Sequence, residues 1–115
     1  MSVQDVLNHH LESFGAGDVE ETLRDYTEES VLITPDGVIH GIAGLRAAFK
    51  EFYGGLFKPG TYSFEMDRVE VVGDVAFIAW HSSNAGAEVP LGTDTFIIRD
   101  GKIAVQTFAA RVETE

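Results

Sequence analysis

The sequence predicts an α+β fold in which a cone-shaped, strongly curved antiparallel sheet wraps around three N-terminal helices. Three observations carry this expectation. Apolar residues recur at helical spacing in the N-terminal part of the chain and at strand spacing in the C-terminal part. A short hairpin, Val31-Leu32-Ile33, Pro35-Asp36-Gly37, Val38-Ile39, interrupts the helices. The first long strand changes apolar phase midway, from Tyr62, Phe64 and Met66 to Val69 and Val71, which predicts a bulge near Asp67 and Arg68 and a bend there.

The elements follow in order. Val3, Val6, Leu7, His10, Leu11 and Phe14 mark an amphipathic first helix, stopped by Gly15 and Gly17, with His10 inside its apolar stripe. Asp18 is an N-cap with Glu21 in capping-box position, and Val19, Leu23 and Tyr26 mark the buried side of a short second helix, so Tyr26 is expected to point inward. Gly41 to Gly44 break the hairpin and open a third helix over about residues 42–56, with Leu45, Ala48, Phe49, Phe52 and Leu56 on its packing side. Beyond Pro59-Gly60 the patterning predicts strands over about 62–72, 75–85, 89–99 and 102–112, with Gly73-Asp74 and Asp100-Gly101 as tight turns. Residues 54–60 and 86–92 read as loops of the same unit.

One domain over residues 1–115 is the economical reading of a chain that is 44% hydrophobic. A chain of this length buries roughly two-thirds of its unfolded surface, so it needs no disulfide or metal staple. Cysteine is absent, which removes thiolate chemistry and thiolate zinc sites. His9, His10 and acidic residues near the start, without a basic opening, do not resemble a secretory signal, and no apolar run is long enough to span a bilayer. A cytoplasmic location is expected. Nineteen acids against 8 bases give a net charge of −11, which repels phosphate backbones and anionic lipid, so neither nucleic acid nor membrane is expected as a partner. His9, His10, His40 and His81 show no i, i+4 pair with an acidic third ligand, and there is no nucleotide-binding glycine fingerprint or nucleophile elbow. No metal and no cofactor are expected.

Several short motifs then occur in a telling order: Gly17-Asp18, Tyr26-Thr27-Glu28-Glu29-Ser30-Val31, Pro35-Asp36-Gly37, Gly41 leading into Gly44-Leu45-Arg46 and Phe49, Gly92-Thr93-Asp94-Thr95-Phe96, and Asp100-Gly101-Lys102-Ile103. Together they resemble the NTF2-like superfamily and, within it, the SnoaL-like proteins that include polyketide cyclases and ketosteroid isomerase. The resemblance implies a cystatin-like α+β roll with a pocket at its open end and, commonly, a homodimer joined through the outer sheet face. In the isomerases a carboxylate on the early hairpin removes a proton beside a carbonyl, while a tyrosine and a protonated aspartic acid hold the oxyanion. Matched through Gly17-Asp18, these positions fall on Thr34, His10 and Asp94 respectively. A threonine hydroxyl cannot accept a proton at neutral pH, so the isomerase base is missing. The SnoaL-like cyclases use an acid/base aspartate with histidines, and Asp94 with His10 is the nearest equivalent.

Each candidate has a functional and a plain structural reading. Asp94 alternates with Phe96 and Ile98, which either holds a carboxyl neutral in an apolar pocket or leaves it at a solvated strand start. His10 is either a pocket group or a core histidine satisfied by a carbonyl. Tyr26 either reaches ligand or packs with its tip on backbone, and Trp80, in phase with Ala76 and Ile78, is either a flat cavity wall or packs in the core or at a dimer interface. His81, in the opposite phase with Phe77 and Ala79, faces a partner subunit or the cavity; His40 reads as a loop or edge residue and Arg46 as exposed. The expected function is binding of a small, mainly apolar carbonyl or hydroxyl compound, with cofactor-free isomerisation, dehydration, cyclisation or hydrolysis if the protein is an enzyme. Asp94 would be acid or oxyanion donor and His10 base or second donor. Tyr26 and Thr34 would orient the ligand, and Phe49, Trp80 and Phe108 would form walls. The alternative is a non-catalytic binding or dimerisation module, to which the missing carboxylate at Thr34 points.

Overall fold

The computed structural model describes residues 2–114. Its elements are α1 (Val3–Ala16), α2 (Val19–Leu23), β1 (Val31–Thr34), β2 (Gly37–His40), α3 (Gly41–Gly54), β3 (Tyr62–Val72), β4 (Val75–Asn84), β5 (Ala87–Arg99) and β6 (Lys102–Thr114). Three helices and a curved six-stranded sheet make up the predicted α+β class. Among the described residues no helix is long and apolar enough to cross a membrane.

Local chemistry sets the helix ends. Ser2 accepts from Asp5 N while Asp5 accepts from Ser2 N, a full capping box at the start of α1. Gly17 ends that helix at φ 65°, where a Cβ would also stand 2.2 Å from Pro59 Cγ, so glycine is needed for both conformation and approach. Asp18 caps α2 by accepting from Glu21 N, but the Glu21 carboxylate turns away to His9, so the predicted capping box is only half made. Since α2 closes at Leu23, Tyr26 stands in the connection to β1, where it is nonetheless buried. The third helix stops short of its expected end, capped at Gly55 within the Gly54-Gly55 pair.

The strands form one sheet in the order β2-β1-β6-β5-β4-β3. It is not wholly antiparallel as the sequence predicts: β1 runs parallel to β6, Val31 opposite Val105 and Ile33 opposite Thr107. A tight turn forces antiparallel pairing only between strands it joins, and β1 and β6 are far apart in the chain. The predicted bulge is present. Pairing steps from Met66↔Trp80 to Arg68↔Ala79, leaving Asp67 as the extra residue and returning Val69 and Val71 to the face of Ile78 and Ala76.

Residues 86–92, expected as a loop, are mostly the start of β5. Pro90 and Gly92 suggest a break, but the ladder register shifts between Glu88 and Leu91 and again between Trp80 and Ser82, so Pro90 falls where no bond is required of it. Gly92 has its own reason: paired with Trp80, it lies under the indole, and a Cβ there would come within 2.2 Å of Trp80 Cζ2. The concave face carries Ala76, Ile78, Trp80, Phe96, Ile98 and Ile103, all buried against Val6 and Leu7 of α1, Leu45, Phe49 and Tyr53 of α3, and Phe57.

His9 braces this arrangement. Its Nδ1 lies 2.7 Å from Asp25 Oδ2 and its Nε2 2.8 Å from Glu21 Oε1, and the backbone carbonyl of Asp25 accepts from Ile103 N of β6. Hydrogen bonds to Glu21 and Asp25 favour the imidazolium and raise the His9 pKa above its ordinary 6.5. A raised folded-state pKa gives stability that is complete below about 6.5 and is lost as pH rises through the folded value. Urea denaturation between pH 6 and 9 should therefore show stability falling with pH, and His9→Gln should flatten that slope. Gly92→Ala should cost about 1–3 kcal/mol through overpacking, with a red shift of the single tryptophan's emission as Trp80 is displaced.

Candidate functional site

The helical stripe of α1 carries His10 into the concavity, and the alternation of β5 puts Asp94 on the same side as Phe96 and Ile98; all but 4% of His10 and 7% of Asp94 is buried. They do not touch. A polar chain connects them. Asp94 Oδ1 accepts from Trp80 Nε1 at 2.9 Å and Oδ2 accepts from Gln106 Nε2 at 2.8 Å. The Gln106 carbonyl accepts from the Tyr26 hydroxyl, and Tyr26 Oη lies 3.4 Å from His10 Nδ1. His10 Nε2 has no hydrogen-bond partner among the described residues, yet no buried side-chain nitrogen or oxygen there is left unsatisfied, so Nε2 is open to the cavity.

Gln106 is the member that sequence reasoning passes over. It lies opposite Phe96, inward with Phe108 and Ala110, and a glutamine in an apolar phase was the available signal. Its bond to Tyr26 spans 80 residues, and nothing local to either announces it.

The cavity is lined by His10, Asp94, Gln106 and Trp80 among otherwise apolar, mainly aromatic side chains that include Phe49 and Phe108. The Phe96 and Phe49 rings stand edge-on to the His10 imidazole at 5.2 and 6.4 Å. The cavity volume is about 30 Å³, room for water-sized molecules. Next to it an outer groove of about 450 Å³ lies between the β1–β2 hairpin, α3 and β6, and Phe52, Phe57 and Phe108 line both spaces. Ligand-sized volume thus begins just outside three phenylalanines.

Electrostatics follow from burial. Desolvation pushes Asp94 up to about 6, against the lowering effect of the Trp80 and Gln106 N–H groups. Both Asp94 oxygens accept N–H bonds, which favours the carboxylate against the desolvation that raises its pKa. Burial lowers His10 to about 4, with the neighbouring His9 charge adding to the effect, so its ring is neutral. Burial also raises Tyr26 well above the ordinary phenol range.

The other predicted residues divide. Phe49, Trp80 and Phe108 line the cavity, whereas Tyr26 sits behind it, touching His10 and Gln106. Thr34 lines the outer groove, and its hydroxyl accepts from Asp36 N and faces Gly37 O within the hairpin turn. His81 lies on the convex face, between Asp67 and Glu65, and not in the cavity. His40 is exposed at the start of α3, and Arg46 pairs with Glu20. Among the described residues no cluster of three or more His, Asp or Glu side chains is arranged to hold a metal ion.

Comparison with known proteins agrees with this architecture. The SnoaL-like domain family matches residues 7–106. No curated protein matches the chain. Solved structures with the same fold include an NTF2-like protein of unknown function from Burkholderia xenovorans, 20% identical with TM-score 0.78, covering 98% of this chain and 85% of that one. A candidate ketosteroid isomerase from Kribbella flavida is 16% identical with TM-score 0.78 over 98% and 80% of the two chains. The epoxide hydrolase/cyclase-like enzyme SalBIII, of pyran ring formation in salinomycin, is 14% identical with TM-score 0.81 over 98% and 95%. At these identities the structural likenesses speak for the fold, and the family match over most of its length makes this chain a member of the SnoaL-like domain family.

Proposed function

We propose that this protein, acting as one SnoaL-like unit over residues 1–115, takes a small, mainly apolar carbonyl or hydroxyl compound into its cone and moves a proton on it without a cofactor. The observation that carries this reading is the pair of titratable groups, Asp94 and His10, displaced from their ordinary pKa values at the bottom of an aromatic cavity. A carboxylate with pKa near 6 suits a general base at neutral pH, strong enough to accept a proton and already ionised. Asp94 then takes a proton from a hydroxyl or from carbon beside a carbonyl, and His10 Nε2 contacts the second polar group of the ligand. This reverses the part foreseen for Asp94 from the sequence, because its two N–H donors favour the anion. A ketosteroid isomerase candidate and a pyran-forming hydrolase/cyclase among the fold neighbours support isomerisation or cyclisation as the reaction class.

Entry requires Phe52, Phe57 or Phe108 to swing, since the inner cavity is no larger than about 30 Å³. That same tightness favours a second reading, a non-catalytic module in which Asp94 satisfies the Trp80 and Gln106 donors. In either case the proposal includes a homodimer through the convex sheet face, where Phe77, Ile97 and Val105 are half-buried and Ile33 and Val75 exposed in a single chain.

Thermal-shift screening against ketones, lactones and aromatic acids should find a compound that raises the melting temperature, as a ligand selective for the native state must. With that compound as substrate, Asp94→Asn and His10→Ala should each lower turnover on the order of 100-fold or more. Unchanged turnover in both would remove this mechanism, and binding with no turnover in the native protein would leave only the module. Turnover should fall as pH drops through about 6. Trp80→Phe, which takes one N–H donor from the carboxylate, should move that limb to higher pH.

A further inference from the structure

Donor direction along the polar chain is dictated by its acidic end. A carboxylate only accepts, so Gln106 must turn its NH2 toward Asp94 and present its carbonyl to Tyr26. A carbonyl oxygen only accepts as well, so the single Tyr26 hydroxyl hydrogen goes to Gln106. What remains for His10 Nδ1 is to donate to Tyr26 Oη, across 3.4 Å. The neutral ring can do so only as the Nδ1–H tautomer, which leaves a bare lone pair on Nε2 facing the cavity.

Adding one proton to Asp94 Oδ2 reverses every link. The new O–H donates to the Gln106 carbonyl once the amide turns over, the Gln106 NH2 donates to Tyr26 Oη, and the Tyr26 hydroxyl donates to His10 Nδ1. The imidazole proton then resides on Nε2. The side chains hold one proton more than before, all of it on Asp94, and each hydrogen bond is replaced by its reverse. Trp80 Nε1 continues to donate to Oδ1 in both states.

We infer that Gln106 is a positioning residue whose amide, acting through Tyr26, ties the tautomer of His10 to the protonation state of Asp94. Two different sites result. With Asp94 ionised, the cavity presents two acceptors, the carboxylate and His10 Nε2, and suits a ligand that donates, such as a hydroxyl compound. With Asp94 protonated, His10 presents an Nε2–H donor and suits a carbonyl or enolate oxygen. A change in the protonation of Asp94 therefore goes with a change of His10 from acceptor to donor, the ring releasing its Nδ1 proton and taking one on Nε2 by exchange with solvent. The inference rests on the reading of the His10 and Asp94 cavity as the working site, but the coupling itself requires no ligand.

The groups facing this chain leave it room to operate. From α1 come His10 and, behind it, the charged His9; from the connection before β1, Tyr26 and the buried Asp25; from α3, Tyr53; from β4, Trp80. His10 itself stays neutral down to about pH 4, below the Asp94 transition near 6, so its tautomer can change without its charge.

The test is the nitrogen-15 spectrum of His10 in the ligand-free full chain, followed from pH 8 to 5 beside the carboxyl carbon-13 shift of Asp94. The expected result is exchange of the protonated and unprotonated ring-nitrogen resonances, Nδ1–H giving way to Nε2–H, with the midpoint of the Asp94 titration. In Tyr26→Phe and Gln106→Leu, the Asp94 titration should persist while the His10 tautomer ceases to follow it; either variant that folds suffices. A tautomer unchanged across the Asp94 transition in the native protein, or one that still follows it in the folded variants, overturns the inference. Coupling without any ligand in the thermal-shift screen would instead sink only the functional reading on which it rests.

Discussion

The Asp94 carboxylate, taken out of water at the bottom of an aromatic bowl, is the constraint around which the interior is arranged. Burying a charge costs several kcal/mol unless hydrogen bonds replace its hydration. The replacements come from the two strands that flank β5, Trp80 on β4 and Gln106 on β6, so the sheet itself delivers both donors. Trp80 can lie where its N–H reaches only because the strand position opposite it is Gly92. Burial and donors oppose each other in the Asp94 pKa, and their balance near 6 leaves the group ionised yet easily protonated.

Two consecutive histidines on α1 show how the same side chain is put to different ends. His9 faces the carboxylates of Glu21 on α2 and of Asp25 just after it, which raise its pKa; His10 faces phenylalanines, and burial lowers it to about 4, with the His9 charge adding to the effect. The first fixes α1 against α2 and, through Asp25, against β6. The second projects from that fixed helix into the cavity. A brace and a site group that are adjacent in sequence make the position of His10 depend on the integrity of the His9 cluster.

Much of this was legible locally. His10 falls in the apolar stripe of α1 and Asp94 in phase with Phe96 because helical and strand periods are properties of neighbouring residues. The bulge at Asp67 could be read from the jump between Met66 and Val69 for the same reason. Local signals also misled. Pro90 and Gly92 suggested a loop where β5 in fact begins, since turn-forming residues are equally at home in a bulge.

What the amino-acid sequence determined alone was periodicity: the apolar stripes of the helices, the alternation of the strands and the place where the sheet bends, and hence the α+β class and the inward course of Tyr26, with His10 inside an apolar stripe, while the direction of Trp80 and Asp94 stayed open. Only the tertiary structure decided partnership. It set β1 parallel to β6, sent His81 to the convex face and Thr34 to the hairpin turn, and joined Asp94 to His10 through Gln106 and Tyr26. The physical reason is range: backbone preference and side-chain phase act over a few residues, whereas a hydrogen bond between residues 80 apart exists only after the whole sheet has closed around its helices.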